Sequence, residues 1–392
     1  MLALAQPFSI YEPGGGPRIL RSLLADAPVP YLSVSASPFL PENPGPHETN
    51  IPRRRNFGTW PERLSRHLGN VLEYATLWSQ DRFENRLGQL FEERGVTAVH
   101  CIPQGIEYWH TYRVARRMGL PFFLSVHDEL AYNLQAFPYR ERAVRHLETV
   151  WRDADARFVI SEAMGEEYNR RYGARPFSIV TDGVRDVAAA PAARPAHRLR
   201  VYFMGSVHLA YEANFHALIH ALERLQAQAP ALEVSFTLRG GCPFDLPDTS
   251  VPVTRLGWGT QADVERDMAD ADLLYFPLPF EEEFEAFVRY SLSTKMVSYL
   301  GSGLPILFHG PSVSAAGTLL STHDAGLLAP TLCPDALAET LSTPRASLDA
   351  RTRNALRLAD AQFRIEEQRH RFWTPILDAM PAAPDPLTPA AC

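Results

Sequence analysis

A chain of 392 residues, 46% hydrophobic and 21% charged, is too long for one ordinary core and reads as two domains of roughly 150–200 residues each. A formal net charge of −7, with no aromatic-basic stacking platform, excludes nucleic acid as a partner, and no apolar run reaches the ~18 residues of a membrane-spanning helix. The four cysteines, at 101, 242, 333 and 392, have neither paired nor metal-ligand spacing, which points to a reducing cytoplasmic setting and no metal.

The opening MLALAQPFSIYEPGGG lacks the basic start and long apolar stretch of a secretory signal and reads as a first strand. Further strands are expected at 29–36, 96–102, 120–126, 156–161 and 177–181. Amphipathic helices are expected at 81–94, 107–118, 139–153 and 162–172. The Pro- and Ala-rich RDVAAAPAARPAHR then fits a linker, placed at 186–198. After it the alternation restarts, with strands at 199–205, 232–240, 251–258, 271–277 and 304–310 and helices at 211–228, 260–270 and 293–300. Strands alternating with long helices predict an α/β protein of two Rossmann-like domains facing a cleft, spanning 1–185 and 199–360. A helix at 361–380 and a disordered tail at 381–392 complete the organisation. Residues 37–61, with six prolines and no periodicity, read as a long irregular loop, either a mobile acceptor-side element or plain disorder.

Charge is unevenly shared. Residues 1–183 hold 21 Arg against 21 acids, while the remainder holds 17 Lys plus Arg against 24 acids. The basic clusters Arg53-Arg54-Arg55 and Arg113/Arg116/Arg117 admit two readings, a solvated surface or an anionic partner such as an acidic membrane face.

Ligands of open α/β sheets bind beyond the carboxyl ends of the strands, and the chemically distinctive residues fall there. Gly14, Gly15 and Gly16 follow the first strand, His127-Asp128-Glu129 the fourth, and Asp182-Gly183 the sixth. In the second half Gly205-Ser206, Arg239-Gly240-Gly241 and Gly257-Trp258 stand in the same position. The glycine triplet is either a ligand-approaching backbone or a flexible turn. It is not the G-x-G-x-x-G of a dinucleotide site. His127 reads either as a structural histidine or as one that bonds a sugar hydroxyl or phosphate and titrates near neutrality.

The segment SLSTKMVSYLGSGLPIL, 291–307, contains Lys295, the only lysine beside thirty-seven arginines. Ser293 is a plausible helix N-cap, with Thr294 and Lys295 in the first turn and Gly301 and Gly303 at the end. A cation in a first helical turn is unfavourable by roughly 0.3–1 kcal/mol unless an anion is shared there. A diphosphate suits that role, and a compact ammonium fits a crowded phosphate site better than the wide fork of Arg.

These residues, with YFMGS, LRGG, RLGW and ADLLYFP, resemble the C-terminal domain of family 4 glycosyltransferases. GGGPRIL, GLPFFLSVHDE, DARFVISEAM and IVTDGV are similar to its N-terminal domain. The resemblance implies the two-domain GT-B fold and metal-independent, retaining transfer of a sugar from a nucleotide diphospho-sugar, without a cofactor, to a carbohydrate or lipid-linked acceptor in polysaccharide or glycoconjugate synthesis. It also implies a final helix packed back on the N-terminal domain and a cytoplasmic enzyme, with peripheral contact at the inner membrane face as a further expectation. Carried over by position, Lys295 and Arg239 neutralise the diphosphate and His127 lies near the transferred sugar. Gly15, Gly16, Gly205, Ser206, Trp258, Tyr290, Ser291, Ser293 and Thr294 line the donor, and Asp128 and Glu129 the acceptor side. The chain departs from the family at its paired glutamates, replaced by Tyr290 and Ser298, at the proline before the Ser/Thr-Lys pair, replaced by Leu292, and at an Arg and Lys missing after Gly205. The departures keep two rivals open: a nucleotide-sugar epimerase of the same architecture, and a non-catalytic glycosyltransferase-like subunit.

Overall fold

The computed structural model describes residues 1–37, 40–52, 80–135, 137 and 139–381. The chain divides into two compact units, one of Met1–Val180 with Arg369–Cys392 and one of Thr181–Gln368.

The first unit is built on a parallel sheet of β1 (Leu2–Gln6), β2 (Tyr31–Ser35), β3 (Glu48–Asn50), β4 (Ala98–Cys101), β5 (Phe122–Val126), β6 (Ala156–Val159) and β7 (Ser178–Ile179). Its order is β3-β2-β1-β4-β5-β6-β7, so the direction of winding reverses between β1 and β4. Every residue of β1, β4 and β5 is buried, as expected for strands covered on both faces and written as continuous apolar runs. The helices are α1 (Gly15–Leu24), α2 (Gln80–Glu93), α3 (Glu107–Arg117), α4 (Leu130–Asn133), α5 (Arg140–Asp153) and α6 (Glu162–Tyr172). One core gathers Leu4, Ile19, Leu20, Phe123 and Phe158 with Phe372, Trp373 and Ile376 from near the C-terminus. The Trp373 indole N–H donates to Leu23 O at 2.9 Å, and Arg369 pairs with Asp26 at 2.6 Å.

The expected irregular loop at 37–61 is corrected in part, because β3 lies inside it. This strand hides from apolar patterning because its inward positions are polar. Glu48 accepts from Ser9 Oγ at 2.6 Å, Ser33 Oγ at 3.2 Å and the Ile10 amide at 3.3 Å. Asn50 donates to the carbonyls of Ser37 and Leu40, at 2.9 Å each. Such paired groups can be buried at modest cost. The rest of that loop from residue 53, the Arg53-Arg54-Arg55 cluster and the tail beyond 381 lie outside the described residues.

The second unit carries β8 (Arg198–Met204), β9 (Glu233–Arg239), β10 (Val253–Leu256), β11 (Leu273–Pro277), β12 (Ile306–His309) and β13 (Leu327–Ala329). They form a parallel sheet of order β10-β9-β8-β11-β12-β13, with its winding reversal between β8 and β11. Its helices are α7 (Glu212–Gln228), α8 (Gln261–Asp270), α9 (Glu285–Tyr290), α10 (Thr294–Leu300), α11 (Ala315–Thr322), α12 (Pro334–Leu341) and α13 (Arg345–Gln362). A last helix, α14 (Ile365–Ala379), follows a break at Phe363-Arg364. Phe215 is central to the core, with ring centroids 5.2, 5.8 and 5.5 Å from those of Phe203, Phe236 and Tyr275 in edge-on geometry. The Pro- and Ala-rich stretch runs along this unit, with Ala188 and Ala192 amides donating to Gly301 O (2.9 Å) and Gly303 O (2.8 Å).

Candidate functional site

In the second unit the sequence places its lone lysine one helix beyond β11, beside the reversal point. Ser293 caps α10 by accepting from the Lys295 amide at 3.3 Å. The buried stripe of Met296, Val297, Tyr299 and Leu300 anchors the helix. The Met204 amide, at the end of β8, donates to Tyr299 Oη at 3.1 Å, which ties the start of the site to the middle strand. Lys295 then reaches over β8, and its ammonium donates to Ser206 O at 3.4 Å. It lies 4.2 Å from the Phe203 ring centroid and 5.7 Å from that of Tyr211. No carboxylate of the described residues stands within ion-pair distance of it. Burial pulls this ammonium down from 10.5 to about 7, so its charge is held at a cost and is available to an arriving anion.

Two glycines make the close approach feasible. Gly205 has φ +107°, and a side-chain carbon there would meet Lys295 Cδ at 3.4 Å. Gly240 has φ +126°, and a Cβ would lie 2.1 Å from Gly205 O, so the turn after β9 nests against the turn after β8 only because Gly240 has no side chain.

Of the other donor-side residues, Tyr290 is buried at the end of α9, and the Thr294 carbonyl accepts from Ser298 Oγ at 3.3 Å. Ser291 Oγ is buried without a hydrogen-bond partner among the described residues. Trp258 is 66% exposed, with its indole nitrogen beside Gly241. Arg239, expected beside the diphosphate, is instead engaged by Asp267 and by Gly257 O at 3.2 Å, while Tyr202 Oη donates to the same Asp267 at 3.2 Å. The cation that points to the reversal point is Lys295. Sequence reasoning missed Phe203, Tyr211 and Asp267. They look like ordinary core and surface positions, and only the strand order brings them to the site.

In the first unit Gly16 and His127 meet, since a Cβ on Gly16 would lie 3.6 Å from His127 Nδ1. His127 is 7% exposed and its Nδ1 has no hydrogen-bond partner among the described residues. Gly15 opens α1, whose N-cap is Gly14 at φ +139°. The expectation that His127 titrates near neutrality is corrected. Burial lowers it to about 4, so it is a neutral imidazole at working pH, suited to bonding a hydroxyl. Asp128 accepts from Gln104 at 3.1 Å, and burial raises its pKa. Glu129 is occupied by the fold. It caps α4 by accepting from the Tyr132 amide at 2.7 Å and pairs with Arg171 at 2.8 Å. The basic cluster of α3 is also engaged internally, with Arg113 and Arg117 on Glu84 (3.1 and 3.7 Å) and Arg116 on Asp155 (3.2 Å).

Among the described residues no group of three or more His, Cys, Asp or Glu could hold a metal ion, and no helix is long and apolar enough to cross a membrane.

No protein-family model matches the sequence, and no curated protein matches it. Solved structures do. The chain is similar to an α,α-trehalose-phosphate synthase (UDP-forming) from Burkholderia xenovorans in complex with glucose-6-phosphate, with a TM-score of 0.62 at 13% identity over 96% of this chain and 99% of that one. A trehalose 6-phosphate synthase from Burkholderia multivorans gives 0.60 at 15% identity over 96% of each chain. A trehalose-6-phosphate structure from E. coli bound with UDP-2-fluoro glucose gives 0.59 at 11% identity over 98% of this chain and 100% of that one. At such identities the likeness establishes the fold. This chain has the two-unit GT-B architecture, each unit a parallel α/β sheet of Rossmann type.

Proposed function

We propose that the protein is a retaining glycosyltransferase that moves a sugar from a nucleotide diphospho-sugar to an acceptor hydroxyl. The observation that carries this reading is the ammonium of Lys295, brought to the winding reversal of the second unit without a carboxylate partner among the described residues. Such a crevice is where open α/β sheets bind nucleotides, and a half-buried cation there calls for an anion. The structural neighbours support the same reading. One binds UDP-2-fluoro glucose, and another is a trehalose-6-phosphate synthase studied for glycosyl transfer with retention.

In this reading Lys295 stabilises the charge on the departing diphosphate, and Gly205 and Ser206 let the phosphates approach the backbone. Electrostatic stabilisation of this kind is commonly the largest catalytic contribution. Arg239, held by Asp267, shapes the turn after β9. Ser291, Ser293, Thr294, Tyr290 and Trp258 line the remainder of the donor. His127, neutral and with Nδ1 open, bonds a hydroxyl of the transferred sugar next to Gly15 and Gly16, and Asp128 faces the acceptor side. Neither a protein nucleophile nor a metal or other cofactor is assigned. The acceptor is a carbohydrate or lipid-linked glycan of surface polysaccharide or glycoconjugate synthesis, and the enzyme works in the cytoplasm. The finer placement in family 4 rests on the motif around Lys295.

The test is a thermal-shift series against nucleotides and nucleotide sugars, followed by NMR of the product formed with acceptor. A stabilising donor whose anomeric configuration is kept in the product is expected. Epimerised donor formed without acceptor would instead identify an epimerase, and absence of any nucleotide-diphosphate binding a non-catalytic subunit.

A further inference from the structure

We propose that Phe203, with Tyr211 behind it, is a positioning residue that holds the Lys295 ammonium against its ring face at the crevice until the donor diphosphate arrives. The inference rests on the donor reading above and adds residues that the motif does not contain. The ammonium lies 4.2 Å from the Phe203 centroid and 5.7 Å from that of Tyr211, both inside the roughly 6 Å over which a ring's negative face attracts a cation. Among the described residues its one hydrogen bond, to Ser206 O, is long at 3.4 Å. The ring is therefore the main group that favours the charged form, against the burial that opposes it.

Most charged groups on the surrounding elements are engaged elsewhere; the exceptions, Glu212 at the start of α7 and Glu281, Glu282 and Glu283 ahead of α9, are exposed and make no ion pair with the ammonium. On β8, Arg198 pairs with Asp272 at 2.8 Å, Arg200 pairs with Asp270, and Tyr202 donates to Asp267 at 3.2 Å. Arg239 of β9 pairs with Asp267 of α8, and Glu285 with Arg289 on α9 at 3.2 Å. His208, after β8, accepts from the Ala210 amide at 3.1 Å, and Tyr299 of α10 from the Met204 amide. A ring face attracts the cation without neutralising it, as a carboxylate would, so an incoming phosphate meets no competing anion.

The chain's own composition supplies the test. Lys295 is the only lysine, so full-length protein made with 13C-lysine and a lysine-free tag gives one labelled side chain whose ε-carbon reports its protonation. The wild-type midpoint is expected well below the ordinary 10.5, near the value of about 7 that burial imposes. Phe203→Leu keeps an apolar side chain but removes the ring face, and is expected to lower the midpoint further by about half to one pH unit. Tyr211→Leu, whose ring is more distant, is expected to shift it less in the same direction, and decides by the same sign should Phe203→Leu not fold. A merely structural loss would admit water and move the midpoint up. An unmoved or raised midpoint in the variant, or an ordinary lysine midpoint in the wild type, would overturn the inference. UDP-glucose, which has no ionisation of its own near neutrality, is expected to raise the wild-type midpoint. If the ring effect is seen but neither UDP-glucose nor any nucleotide sugar of the thermal-shift series moves the midpoint, the ring contact stands while the donor reading fails, and the positioning role falls with it.

Discussion

The two units repeat one design and use it differently. Each reverses its winding beside the first strand of its sheet, between β1 and β4 in one and between β8 and β11 in the other, and each follows that first strand with glycine. The second unit brings to its reversal point a cation without a counter-ion among the described residues, half-buried and lowered to about 7. The first brings a neutral imidazole, lowered to about 4, and commits two buried carboxylates to the fold: Glu129 to a helix cap and Arg171, Glu48 to Ser9 and Ser33. The contrast teaches that the same scaffold can be set for charge or for hydroxyl groups by what the buried side chains are paired with. An unpaired cation is ready for a phosphate, whereas neutral partners suit a sugar.

Replacing Lys295 is the largest way to break this contrast. Lys295→Met is expected to cut turnover by roughly 100- to 1000-fold, the scale seen when a charge-stabilising donor is removed. The same change should leave the melting temperature equal or higher at pH 7–8. The sign follows from the depressed pKa: between about 7 and 10.5 the unfolded chain binds more protons than the folded one, so this lysine detracts from stability at neutral pH. Parallel steady-state kinetics and thermal melts check both halves, and retained turnover would remove the charge role from the second unit.

The next effect separates fold from chemistry in the first unit. Glu129→Gln weakens the α4 cap and the bond to Arg171 and is expected to cost about 1–3 kcal/mol in a denaturant titration. Turnover per folded molecule is expected to stay within about twofold, since this carboxylate faces its own scaffold. A large loss of turnover at unchanged stability would return Glu129 to the acceptor side.

The smallest effect concerns acid. With folded-state values of about 4 for His127 and about 3 for His100, the unfolded chain binds more protons from about pH 6.5 downward. Stability is therefore complete above 6.5 and declines as the pH falls toward 4. His127→Gln is expected to flatten that slope by at most about 1.4 kcal/mol per pH unit, the share of one proton. An unchanged slope would mean that this imidazole is already solvated.

Much of the fold was legible because parallel strands covered on both faces are written as short apolar runs. Those at β5, β8 and β11 stand out from the amphipathic helices between them. β3 was not legible, since its buried side chains are Glu48 and Asn50 and their partners come from other strands and loops. At the site, the cap at Ser293 and the first-turn place of Lys295 followed from local chemistry. The engagement of Arg239 by Asp267 did not, because that partner lies on a separate helix, 28 positions along.

The sequence by itself determined the alternation of strands and helices, the glycines that follow the strands, and the single lysine within a capped turn, since propensity, capping and periodicity act over a few residues. Only the tertiary structure decided which cation is free, which acids are spoken for and which histidine stays neutral. Those properties depend on burial and on partners from distant elements, and the strand order alone sets what lies beside what.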